Sequence, residues 1–146
     1  MCFFLAKILI ISLFLRHQDD DMKDNYGYIR VAAAMPRVHV ADPQSNCEEM
    51  AALAMETGES GASVVVYPEL GITGYTCADL LLHPPLLAGC LQALQTLLQT
   101  PVRTAYVVGL PLEIGGRLYN CAVAVCGGRI LGVVPKEHLP NSGEFY

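Results

Sequence analysis

The chain has no tryptophan, and charged side chains make up only 16% of its 146 residues. Nine Lys and Arg stand against 14 Asp and Glu, for a net charge of -5, and the basic residues form no cluster. Nucleic acid is therefore not an expected partner, because phosphate binding needs concentrated positive charge. Cys2, Cys47, Cys77, Cys90, Cys121 and Cys126 include no C-x-x-C pair, and His17, His39, His83 and His138 are isolated from one another. That spacing indicates no zinc or iron site. No phosphate-cradling glycine motif follows a strand-like run, so no nucleotide and no cofactor is expected on these residues. Scattered cysteines read as reduced, buried thiols, which suits a cytoplasmic protein.

What the chain has in quantity is apolar material: 53% hydrophobic residues and a mean hydropathy of +0.38, enough for one packed domain. The first 21 residues differ in kind. MCFFLAKILIISLFL is an apolar run broken by Lys7 and followed at once by RHQDDD. It is short for a transmembrane helix, which takes about 20 apolar residues, and its flanking charges do not suit a secretory signal. We expect residues 1–21 to be a leader outside the fold, with translation starting at Met22 and the domain occupying residues 22–146. A membrane anchor is the weaker alternative, and no membrane partner is expected.

Tyr28–Met35 is a mostly apolar run closed by Pro36 and reads as a strand. Asn46–Glu59 carries Met50, Leu53, Ala54 and Met55 at helical spacing, with Asp42 and Pro43 suited to cap and first turn. Ala62–Tyr67 is a β-branched run of the kind found in sheets buried on both faces. Strand, helix, strand is the opening of an α/β fold. Pro68–Tyr75 reads as a loop, and Leu86–Leu98 as a helix with Leu87, Leu91, Leu94 and Leu98 along one face. Ala105–Leu110, Leu118–Val125 and Arg129–Val134 are separated by Gly115-Gly116 and Gly127-Gly128, which predicts an antiparallel meander.

Two charges stand at the mouths of apolar runs. Glu69 follows VVVYP and Lys136 follows ILGVVP, each one residue beyond a proline. The C-terminal edge of an α/β sheet is where ligands usually bind. Taken singly, each is read as an ordinary solvated charge. If their strands are neighbours, the two should meet within about 4 Å, the ion-pair range.

Three stretches, YPELGITGY, RLYNCAVAV and ILGVVPKEHLPNSGEFY, resemble successive signatures of the nitrilase-type carbon-nitrogen hydrolases. The PEL-x-x-T-GY-x-x-x-DLL pattern and the ending LP-x-x-x-EFY are most similar to the amidase domains of glutamine-dependent NAD synthetases. The resemblance implies a four-layer α-β-β-α sandwich, of which this chain is the N-terminal part. It also implies a Glu-Lys-Cys catalytic set acting on a small amide, glutamine. Carried over by motif, Glu69 is the general base, Lys136 the cation that stabilises the oxyanion, Glu144 a supporting carboxylate and Tyr75 a substrate contact. Glu144 and Tyr75 also read as an exposed acid near the chain end and a loop aromatic. Ser142 departs from the family, whose synthetases often carry tyrosine there. None of the six cysteines has the context of the nucleophile: Cys77 shares the Glu69 loop incidentally, and Cys121 and Cys126 are expected to pack in the meander. The nucleophile is thus expected beyond this chain, leaving the fragment inactive. ATP and Mg would bind a synthetase domain that these residues do not include, and the full-length protein is expected to be a homo-oligomer. A stand-alone amidase or carbamoylase, or an inactive truncated domain, is the alternative.

Overall fold

A computed structural model describes residues 7–14 and 28–138. Six strands form one sheet in sequential order: β1 (Lys7–Phe14), β2 (Tyr28–Met35), β3 (Val64–Val66), β4 (Ala105–Ile114), β5 (Arg117–Cys126) and β6 (Arg129–Pro135). The β2, β3 and β4 pairings are parallel, and the remaining pairings are antiparallel. Parallel neighbours need crossovers, which α1 (Pro43–Glu59) and α2 (Pro84–Gln99) supply. The fold is mixed α/β, as expected, with both helices on one face of the sheet.

Each helix starts before the first residue of its apolar pattern, because a proline occupies its first turn, where the missing N–H costs nothing. Asp42 caps α1: its carboxylate accepts from the Ser45 backbone N–H at 3.1 Å and from the Ser45 hydroxyl at 2.7 Å. Those bonds hold the Asp42 carboxyl below its usual range. The core lies between the helices and the sheet, where Met50, Leu53, Ala54, Leu94 and Leu97 pack on Val65, Tyr106, Val108, Val123 and Val125. Tyr67 and Tyr106 bury their rings and donate their hydroxyls to the Met50 and Leu97 carbonyls, both at 2.7 Å. Large apolar side chains with one polar tip can be buried in this way without an orphaned donor. The meander turns on its two Gly-Gly steps, and all four glycines have positive φ, as two-residue hairpin turns of the primed type require.

Three expectations change. The α2 stripe is Cys90, Ala93, Leu94 and Leu97, while Leu91 is exposed; Met55 of α1 is exposed as well. Small residues are buried on α2 where it packs closely on α1, with the Cys47 thiol donating to the Ala93 carbonyl at 3.2 Å. The leader is not wholly apart either: Lys7–Phe14 pairs antiparallel with all of β2. Its isoleucine-rich run covers a strand edge that would otherwise present unpaired backbone groups.

Candidate active site

Side chains alternate across a strand, so β5 sends Cys121, Val123 and Val125 toward the helices and Asn120, Ala122 and Ala124 toward the opposite, open face. Lys136 follows β6 in register beside Asn120: its backbone N–H donates to the Asn120 carbonyl at 2.8 Å. The two side chains therefore share the open face.

Glu69 arrives from farther away. β3 and β6 are not neighbours, contrary to the condition attached to the sequence reading, since β4 and β5 lie between them. Three strand spacings are roughly 14 Å, too far for an ion pair between strand ends. The loop after β3 closes the gap by crossing β4. The Tyr67 N–H donates to the Val107 carbonyl at 3.0 Å and the Ile72 N–H to the Gly109 carbonyl at 3.1 Å. Gly109 permits the crossing, because a Cβ there would stand 2.5 Å from the Leu70 nitrogen and 3.0 Å from the Pro68 carbonyl oxygen. Leu70, next to Glu69, takes the left-handed conformation with φ of 51°, a costly state for a non-glycine residue held only by its surroundings.

Those surroundings are firm. Leu70, Ile72 and Thr73 are buried, and the Gly71, Thr73 and Gly74 N–H groups bond back to Pro68 and Leu70. Buried Asn46 at the start of α1 donates to the Ile72 carbonyl at 3.0 Å and to the His39 carbonyl at 2.7 Å. The Glu69 segment is thus a rigid turn rather than a mobile surface loop.

The result is a contact between residues 67 positions apart: Lys136 Nζ donates to Glu69 Oε1 at 2.7 Å. Asn120 Nδ2 donates to the same oxygen at 2.5 Å. The Lys136 ammonium first, and the Asn120 amide with it, hold the Glu69 carboxyl below the usual carboxylate range despite partial desolvation. Glu69 in turn raises Lys136 above the ordinary lysine value, with a smaller contribution from the Tyr75 phenol. Both charges are thus fixed at neutral pH. Tyr75 is 42% exposed. Glu144 lies outside the described residues.

Beside the pair is a cavity of about 340 Å³, lined by Val66, Val107, Gly109 and Ala122 together with Glu69 and Lys136. That volume suits a small ligand. No described cysteine joins the pair. Cys121 borders the cavity, but its side chain alternates to the helix side and burial raises its thiol. Cys47 and Cys90 lie in the core, pushed up to about 11 and about 12 by burial. Cys77 is buried and donates to the Thr73 carbonyl at 3.0 Å, and Cys126 lies near the Arg103 carbonyl at the far end of β5.

Residues 30–146 match the carbon-nitrogen hydrolase family. The chain belongs to that family. A glutamine-dependent NAD(+) synthetase from Mycobacterium bovis is 38% identical over 123 residues, 83% of this chain and 18% of the relative. The glutamine-dependent NAD+ synthetase structure from Acinetobacter baumannii superposes with a TM-score of 0.74 at 33% identity, over 79% of this chain and 22% of that one. An amidase of the nitrilase superfamily from Nesterenkonia gives 0.68 at 22% identity over 80% of this chain and 45% of that one, a likeness of fold alone. The carbon-nitrogen hydrolase chain described here thus spans about a fifth of the length of the synthetases it matches. Its single sheet with two helices on one face is the N-terminal part of the nitrilase fold.

Asn120 and Gly109 went unmarked in the sequence. Asn120 is the one amide in a strand that is mostly apolar after Arg117, inside the stretch RLYNCAVAV that carries the family resemblance. Its register with Lys136 was the missing signal.

Proposed function

We propose that this chain is the N-terminal part of the glutaminase of a glutamine-dependent NAD synthetase, and that the complete protein hydrolyses the side-chain amide of glutamine to glutamate and ammonia. The observation that carries the reading is the ion pair of Glu69 and Lys136 at the mouth of an open-face cavity. Similarity to glutamine-dependent synthetases over most of the chain supports the substrate.

Glu69 takes the proton of a cysteine thiol, whose reference pKa near ~8.5 leaves it mostly neutral without a base. The thiolate attacks the amide carbon, the C=O π pair moves to oxygen, and the Lys136 ammonium stabilises that oxyanion. As the oxyanion re-forms the carbonyl, the C–N bond breaks. Glu69 returns its proton to the departing nitrogen, giving ammonia and a thioester. Water, deprotonated by Glu69, adds to the thioester, and the thiolate leaves and regains the proton. The nucleophile comes from outside the described residues, since no described cysteine reaches the pair. Tyr75 contacts the substrate, and Glu144 supports Lys136. The ammonia feeds NAD synthesis in a second domain that binds ATP and Mg, in a cytoplasmic homo-oligomer.

The test measures ammonia release in the protein encoded by the complete reading frame. Glutamine should be preferred over short aliphatic amides, and Lys136→Met should cost on the order of 100 to 1,000-fold in rate. A preference for aliphatic amides would replace glutaminase by a stand-alone amidase, and unimpaired Glu69→Gln and Lys136→Met variants would defeat the mechanism. The 146-residue chain alone should release no ammonia from glutamine above its Glu69→Gln control.

A further inference from the structure

We propose that Asn120 is a positioning residue that locks the Glu69 carboxylate against rotation, so that one defined oxygen, Oε2, exchanges the proton. This rests on the reading of Glu69 as the base. Asn120 touches both charged residues at once: its side-chain amide donates to Glu69 Oε1 at 2.5 Å, and its backbone carbonyl accepts the Lys136 N–H at 2.8 Å. The Lys136 ammonium reaches Oε1 as well, at 2.7 Å. Among the described residues, both donors to the carboxylate fall on that oxygen.

An oxygen holding two donors, one of them cationic, is the poorer proton acceptor, so basicity concentrates on its partner. Once Oε2 is protonated, Oε1 becomes a carbonyl oxygen that still accepts from both donors. The carboxyl group therefore keeps its orientation in both protonation states. Lys136 alone would not ensure this, because its flexible ammonium would follow the negative charge of an oxyanion. A neutral carboxamide on a paired strand cannot follow it. Its reach is set by the β5 and β6 register, in which the Asn120 carbonyl is already engaged.

The experiment is a side-chain NMR titration of the full 146-residue chain, following the Glu69 carboxyl carbon and the Asn120 amide group. In the wild type, both should move with one shared midpoint. In Asn120→Ala the Glu69 midpoint should rise. In Asn120→Asp it should rise further, since a second carboxylate replaces the donor. Asn120 amide signals indifferent to the Glu69 titration would overturn the proposal, and the wild-type measurement decides this even if the variants unfold. An unmoved Glu69 midpoint in both folded variants would overturn it too. In the complete protein, the acid limb of kcat/KM should follow the same order of variants. A shared midpoint together with normal amide hydrolysis by Glu69→Gln would sink the base reading while leaving the hold of Asn120 intact.

Discussion

The two faces of the sheet are built on different logic. The face under α1 and α2 is continuous apolar packing, with Val65, Val108, Val123 and Val125 fully buried. The open face carries small and exposed residues, including Val66 at 47% and Val134 at 66% exposure, and it is the face on which Glu69, Asn120 and Lys136 meet. Stability resides on one side and charge chemistry on the other. A deletion in the first face should therefore weaken the whole domain, whereas a change in the second should act on the site.

The sharpest way to break this contrast is Leu97→Ala. Leu97 is 2% exposed in the core, and its truncation should cost about 2 to 5 kcal/mol in urea unfolding. Val66→Ala on the open face should stay within roughly 0.5 kcal/mol, as for surface substitutions generally. Equal losses would show that the open face is as structural as the covered one. Next in size is Gly109→Ala, which sets a Cβ against backbone rather than a yielding side chain. About 1 to 3 kcal/mol should be lost, as in overpacked sites. The Glu69 carboxyl should also lose its Lys136 contact, seen as a rise in its NMR titration midpoint. A midpoint left in place would show that the loop does not depend on crossing at glycine.

The smallest effect belongs to the ion pair itself, since Lys136 and Glu69 side chains are 34% and 41% exposed and water screens them. The Glu69 value is depressed in the folded state, so its contribution exists above the ordinary carboxylate range and disappears as pH falls through the lower folded value. Lys136 is raised, so its contribution holds below the ordinary lysine value and disappears as pH climbs through the folded one. The urea midpoint of wild type relative to Glu69→Gln should accordingly be highest near neutral pH, converge at both extremes and shrink in salt. A difference independent of pH would assign the effect to packing.

The covered face was the more legible in sequence, because periodicity reports burial directly. The two helices and the Gly-Gly turns lie where their patterns put them, whereas the run Ala62–Tyr67 keeps only Val64–Val66 as strand and exposes Val66 instead of burying both faces. Helix faces were less legible, since Leu91 and Met55 look like core residues and only the packing of α1 on α2 selects Cys90 and Ala93 instead. The composition of Lys7–Phe14 marks it as a leader, although an edge strand needs only a free neighbour. At the site, Glu69 and Lys136 could be picked out as charges after a strand and a proline. Their meeting within ion-pair range was also expected and is found, but from neighbouring strands; the actual route, a loop crossing two intervening strands over Gly109, is encoded by no local pattern. Asn120 was hidden for the same reason: its importance comes from register.

Because Glu69 is delivered early in the chain and Lys136 follows β6, the contact between them reports that the whole meander has closed. A one-residue slip of β6 along β5 would turn Lys136 to the other face and leave Glu69 without its ammonium. The pair therefore marks a meander that is complete and in register. A sheet that is incomplete or out of register can keep the apolar layer under its helices and still lack the contact between Glu69 and Lys136, so the pair tells a finished sheet from an unfinished one.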